Sequence, residues 1–438
     1  MSDKGGTDIS QTIAEKILQM HAMGNATNRA IVPGDFVQAR VDFMMVHEQL
    51  GGRIHVEYDK LGLDHIHDPD KVALVLDHWV PAPDVRAATM HQACRLFAQK
   101  YKFEHDLGMT EGICHQVIPE RGFARPGMLV VGADSHTTTY GALNCFATGI
   151  GATDACIVFA TGELWFRTPP TIRFDLEGDL PPGTCGKDII LGLLGQWGED
   201  GWNYASLEFG GSGLANLSVD GRLTIANMAV EGGAKAAIFE ADQTAKEWVR
   251  NHTDESFQSV MPDLECEYAD RVPVDLTQIA PMVARPFSPA NVIPVAELPD
   301  TPITEAFLGS CTNGRIEDLR IGARIIQGQL VHPDVQFIVI PASRQVYLQA
   351  LHEGLIETFI RAGAVVGHST CGPCIGGSMG VLGPDDVCVS SSNRNFKGRM
   401  GHPDSQSYLA SPFVVAASAI AGKITTPEEL FHVREVAS

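Results

Sequence analysis

Residues 335–374 read VQFIVIPASRQVYLQALHEGLIETFIRAGAVVGHSTCGPC, and their pattern decides the fold class. The run 335–340 is short, apolar and β-branched, as a buried strand is. Residues 346–361 carry a helical pattern, Gly363 supplies a stop, and 364–366 form another short strand. Strand, helix and strand in this order favour α/β architecture with mostly parallel sheets. In such sheets the functional loops lie at the carboxyl ends of the strands. The segment His368-Ser-Thr-Cys371-Gly-Pro-Cys374 is placed as such a loop would be.

The same alternation extends outward. Residues 128–131 read as a strand running into the polar loop Gly132-Ala-Asp134-Ser135-His136, and Val387–Ser390 as a further strand. Near the start, Ile13, Ile17 and Met20 recur at helical spacing, predicting a helix over 10–23 that Gly24 stops. The proline-rich stretch 281–302 is the best linker candidate, and Thr168-Pro169-Pro170 marks a softer boundary. The expected division is three α/β domains, at 1–168, 169–297 and 298–438.

With 438 residues, 44% of them hydrophobic and 19% charged, the chain can bury a substantial core. No apolar run approaches the roughly 18 residues that span a bilayer. The opening MSDKGGTDIS lacks the basic and apolar segments of a signal peptide, so cytoplasm is the expected compartment. Lys+Arg 32 against Asp+Glu 53 give a net charge of −21, which repels nucleic acid and anionic membrane. Small acids remain admissible substrates where a few arginines converge.

Of the 10 cysteines, Cys94, Cys145, Cys156, Cys185, Cys266 and Cys388 lie in apolar or small-residue contexts and read as core. Cys371 and Cys374 do not. Two cysteines so spaced can form a redox pair or share a metal. Against a thioredoxin-type pair stands Gly376-Gly377, where that pair would run into a helix. Against structural zinc stands the want of a second such pair. A third reading adds Cys311, in the loop Gly309-Ser-Cys-Thr-Asn-Gly-Arg315 between an apolar strand and a helix patterned on Leu319, Ala323 and Ile326. Iron–sulfur clusters normally take four cysteines; with three, one iron is left open to act as a Lewis acid.

These residues resemble the aconitase and isopropylmalate dehydratase family. The anchors are GADSHT at 132–137, GSCTNGR at 309–315, TCGPCIGG at 370–377 and SNRNFKGR at 392–399, and the similarity runs roughly from Val32 to Lys423. It implies an aconitase-like fold with the active site at a domain interface. It also implies a [4Fe–4S] cluster held by Cys311, Cys371 and Cys374, with one iron lacking a cysteine. Asn393, Arg394, Arg399 and Ser135 would bind substrate, the guanidinium forks gripping carboxylates. Asp134 with His136, Asp77 with His78, His115 and Glu208 match the family's remaining site groups. Such imidazole–carboxylate pairs orient a proton donor for a departing hydroxide. The stretch 45–52 matches only loosely, so His47, Glu48 and Gln49 receive no role.

The implied activity is that of a large subunit of a hydro-lyase. It would dehydrate and rehydrate a 2-hydroxy di- or tricarboxylic acid, foremost of the 3-isopropylmalate type. Homoaconitate and methylated malates or citraconate are the alternatives. Single-chain aconitases continue into a further domain bearing the base; here a separate small subunit is expected to supply it. Two rivals are a cluster-free regulator that binds RNA, which the charge disfavours, and a zinc or thiol-redox protein.

Overall fold

The computed structural model describes residues 9–24 and 29–431. Among these, three larger sheets and one small ribbon organise the chain. The first sheet has five parallel strands in the order His105–Gly108, Val72–Val75, Phe43–His47, Leu129–Gly132 and Phe146–Gly149. The second has four parallel strands, Ala236–Phe239, Ser206–Gly210, Thr171–Glu177 and Asp270–Asp275. The third has seven, ordered Val292–Pro294, Met282–Ala284, Gln406–Ala410, Val387–Ser390, Glu305–Leu308, Gln336–Val339 and Val365–Val366. Its last five strands run parallel. The ribbon pairs Phe36–Arg40 with Glu163–Arg167, antiparallel.

Phe43–His47 shows why these strands lack an alternating polar face. All its residues are buried. Phe43 and Met45 join a core shared with Phe174, Leu207 and Phe209 of the second sheet, whereas Met44 and Val46 point into a core on the opposite side. A parallel sheet covered on both faces needs apolar residues at both parities. Tyr58, Phe97, Phe103 and Phe159 fill that opposite core with edge-on and tilted ring contacts.

Three expectations are corrected in detail. The predicted helix 346–361 is two helices, Arg344–His352 and Leu355–Ala362. Gly354 between them adopts φ +75°, a left-handed conformation that a helix cannot continue through. The proline-rich stretch is no free linker, because Met282–Ala284 and Val292–Pro294 within it form the antiparallel edge of the third sheet. Edge strands tolerate the prolines that a central strand would not. The N-terminal helix is shorter than predicted, Ile13–His21. Thr12 and Glu15 form a capping box at its start, and that box sets its first turn.

No helix among the described residues is long and apolar enough to cross a membrane.

Candidate active site

The carboxyl ends of first-sheet and third-sheet strands meet, with the helix Val219–Met228 of the second unit packed beside them. From the third sheet, Cys311 follows strand Glu305–Leu308 in the short helix Ser310–Asn313. Cys371 and Cys374 follow Val365–Val366, and Asn393 and Arg394 follow Val387–Ser390. The three cysteines are 6%, 5% and 3% exposed, so their sulfurs share a pocket that water barely enters. Ser310 Oγ lies 3.9 Å from Cys311 Sγ and 3.6 Å from Cys374 Sγ. Ser310 itself holds φ +75°, a left-handed conformation rare outside glycine, so the loop carrying Cys311 is bent at a local cost. Gly372 holds φ +57°, a left-handed conformation that favours glycine. A Cβ there would fall 2.3 Å from Ile340 Cδ1.

The pocket supplies donors to sulfur. Asn227 Nδ2 and Asn393 Nδ2 point at Cys311 Sγ from 3.2 and 3.3 Å. Burial pushes the Cys311 thiol up to about 12, and the Cys371 thiol well above its ordinary value. Thiols so disfavoured as anions are poor redox nucleophiles, which speaks against the thioredoxin-type reading. A bound cation would ionise them outright. The residues therefore fit a metal cluster: three buried sulfurs, amide donors aimed at one of them, and the buried cations Lys187 and Arg315 close behind.

The first sheet contributes a carboxylate–imidazole network. Asp134, just past Leu129–Gly132, accepts from His115 Nε2 at 2.7 Å and from the His136 backbone N–H at 2.8 Å. Its other oxygen lies 3.5 Å from His47 Nε2 and 3.8 Å from His78 Nε2. Burial opposes its ionisation, but these imidazoles hold its carboxyl well below the usual range. His78 Nδ1 bonds Asp77 Oδ1 at 2.6 Å, and the rings of His47 and His78 stack at 4.3 Å. Burial pulls His78 down, yet Asp77, Glu48 and Asp134 outweigh it and push the imidazole up to about 10. His78 is thus a protonated donor at neutral pH. The backbone N–H of Cys371 and the hydroxyl of Thr370 both donate to the Asp77 carbonyl, which locks the cysteine loop to the Asp77–His78 loop.

The arginines behave differently from each other. Arg394 Nε bonds both oxygens of Glu231, at 2.8 and 3.0 Å, and Glu231 also takes His136 Nε2 at 2.7 Å. Burial raises the Glu231 carboxyl, but His136 and Arg394 bring it below its ordinary value. Arg399 Nε is buried with no hydrogen-bond partner. Ser135 is half-buried, its hydroxyl 3.5 Å from His136 Nδ1.

Glu208 is a correction. It stands within strand Ser206–Gly210, opposite Arg173 of the neighbouring strand. Its oxygens are taken by Arg173 Nη1 at 2.9 Å, the Tyr268 hydroxyl at 2.5 Å and the Ile13 N–H at 2.9 Å. It staples the N-terminal helix to the second sheet and touches none of the groups above. Glu231 occupies the place that reasoning from sequence gave to Glu208. It was missed together with Asn227, four residues earlier, although two buried polar residues in Ile225-Ala-Asn-Met-Ala-Val-Glu231 were the available signal. Glu48, which the sequence left without a role, supports the same network. Its buried carboxylate accepts from the backbone N–H groups of Asp77, His78 and Trp79 at 3.1, 2.7 and 2.8 Å, and so shapes the loop presenting His78. Of the cysteines read as core, Cys185 and Cys266 are only half-buried.

Donors closely spaced enough for a lone ion occur, among the described residues, at His47, Glu48, Asp77 and His78. Those carboxylate oxygens are already engaged with backbone N–H groups and with His78, so the grouping reads as an internal network.

The aconitase family (aconitate hydratase) model matches residues 15–302 and 296–422. The chain belongs to the aconitase family. Membership makes it a hydro-lyase and carries with it the expectation of a 4Fe–4S cluster. Among similar family members, the 3-isopropylmalate dehydratase large subunits of Hydrogenobaculum sp. (strain Y04AAS1) and Aquifex aeolicus are each 47% identical. The alignments cover 96% and 98% of this chain, and 99% and 100% of theirs. A probable methanogen homoaconitase large subunit of Methanothermobacter thermautotrophicus is 46% identical, over 96% of this chain and 98% of its own.

Proposed function

We propose that this chain is the large subunit of a 3-isopropylmalate-type dehydratase, with Cys311, Cys371 and Cys374 holding a [4Fe–4S] cluster. The observation that carries the reading is the convergence of three buried sulfurs with the Asp–His pairs and Arg394 at one junction of strand ends. When bound, the cluster supplies Lewis acidity toward a substrate hydroxyl and its neighbouring carboxylate.

The chain's own residues do the rest. Arg394 spends only Nε on Glu231, which leaves its terminal nitrogens for a substrate carboxylate, and the unpartnered Arg399 Nε faces the same need. These guanidinium groups also stabilise the negative charge that develops when the proton beside the carboxylate is removed. His78, held protonated by Asp77, donates to the departing hydroxyl through Nε2. His136 is fixed between Glu231 and the Asp134 turn, where it can bind or relay a proton. Asp134 keeps the rings of His115, His47 and His78 in register. The proton-abstracting base is assigned to a separate small subunit, which would close over this junction.

Anaerobic reconstitution with iron and sulfide, followed by assay with the small subunit, tests the reading. The substrate panel spans 3-isopropylmalate, homocitrate and methylated malates. Turnover fastest on 3-isopropylmalate is expected. An intact cluster with no turnover on any member would overturn it.

A further inference from the structure

Among the described residues, Lys187 is the only buried lysine, with 0% of its surface exposed. Its setting is unfavourable on three counts. It stands in the first turn of helix Gly186–Trp197, where unpaired N–H groups already present positive charge. It is wholly removed from water, which strongly disfavours an isolated ammonium. It has no carboxylate within ion-pair distance. Its Nζ donates to the carbonyls of Ser391 at 2.7 Å and Ser392 at 2.6 Å and to Asn313 Oδ1 at 3.5 Å, all neutral acceptors.

Two other buried cations are directly paired. Arg222 pairs with Asp242 at 2.7 Å, and Arg173 with Asp175, Glu208 and Glu240. Arg315, which also lacks a direct ion pair, faces Asp220, Asp318, Glu317 and Glu120. Burial pulls the Lys187 ammonium down to about 8, and the groups that oppose this are the thiol of Cys185, then Asp318, then the thiols of Cys311 and Cys374. Asp318 reaches it only through the amide of Asn313, which bonds both. The route to the sulfurs is equally short. Ser392 adjoins Asn393, whose Nδ2 lies 3.3 Å from Cys311 Sγ and whose Oδ1 lies 3.6 Å from Cys374 Sγ.

We propose that Lys187 is a built-in counter-charge for the metal cluster. Fixed against the Ser391 and Ser392 carbonyls, its ammonium offsets the negative charge that three ligating thiolates bring into a dry pocket, and so raises the cluster's reduction potential. The inference rests on the iron–sulfur reading above. Lys187 is a positioning residue in this role, because it touches neither the sulfurs nor substrate. Adding one electron makes the cluster more negative by one charge, and a fixed nearby cation stabilises that reduced form.

The experiment compares the full chain, reconstituted anaerobically, as wild type, Lys187→Gln and Lys187→Met. Each is titrated with dithionite while the reduced cluster is followed by paramagnetic resonance. Glutamine keeps hydrogen-bond donors for the carbonyls but removes the charge; methionine removes both. Both are expected to lower the one-electron potential by about 59 mV, a tenfold change in the reduction equilibrium. Wild-type potentials in both variants would overturn the proposal, and a wild-type potential in Lys187→Gln alone would overturn it in favour of a hydrogen-bonding role. Should neither variant take up iron and sulfide, melting of the cluster-free chains decides. An unchanged or raised Tm supports a charge kept for the cluster, and a lowered Tm overturns it. Failure of the wild type itself to form a cluster would sink the iron–sulfur reading instead.

Discussion

Two buried ionic networks in this protein look alike in composition and differ in completeness. Around Glu208, in the second sheet, every charged group is answered within the chain: Arg173, Tyr268 and the Ile13 N–H saturate the carboxylate, and Asp175 and Glu240 help neutralise Arg173. At the junction of the first and third sheets the accounts stay open. Arg399 Nε and Trp79 Nε1 are buried without hydrogen-bond partners, and Lys187 lacks a carboxylate. A saturated network holds elements together. One with unspent donors is arranged for something that binds, since burying a polar group unpaired is costly unless a ligand repays it.

The comparison can be broken most sharply at the cysteines. Cys311→Ser and Cys374→Ser are each expected to abolish activity, by on the order of 10³-fold or more, because a structural or catalytic metal centre depends on its full ligand set. Iron and sulfide content and visible absorbance check this directly, and retained metal at wild-type stoichiometry would refute it. Glu231→Gln should lower kcat by about 10²-fold, since it unties both His136 and Arg394 from their working positions.

Glu208→Gln should do the reverse. Breaking one partner of a buried ion pair costs about 3 kcal/mol in unfolding free energy, while turnover per folded molecule stays within about twofold. A collapse of kcat without loss of stability would return Glu208 to the active site. The smallest effect concerns Glu305, at the end of its strand remote from Cys311. Burial pushes its carboxyl up to about 8, against 4.5 for the free side chain. Between those values the folded state binds more protons than the unfolded, so stability falls as pH rises from about 4.5 to 8. Glu305→Gln should flatten part of that slope and raise stability above pH 8, measured by urea unfolding across pH. Asp188 and Asp318, raised to about 6 and about 7, contribute in the same direction.

Much of the site was legible because its residues are local. Asp134 and His136 share one turn, Asp77 and His78 are adjacent, and Cys371 and Cys374 sit in one loop, so chain connectivity guarantees that each group travels together. Glu208 misled because a glutamate within an apolar run looks equally functional whether it points at a substrate or at a cross-strand arginine. Only the register of Arg173 opposite it decides. Asn227 and Glu231 were invisible, and Glu48 could be given no role, for the converse reason. Their partners lie 84, 163 and 30 positions away at Cys311, Arg394 and His78, and no periodicity encodes those meetings.

By itself the sequence determined the α/β class, the strand–loop–helix units and which loops carry sulfur, acid and imidazole, because hydrophobic period and turn chemistry act over a few residues. The tertiary structure alone decided that strand ends from two sheets converge, that Glu231 rather than Glu208 stands beside Arg394, and that Lys187 is walled in behind the cysteines. Contacts between distant segments are selected by how cores shared across sheets pack, and that is a property of the folded whole.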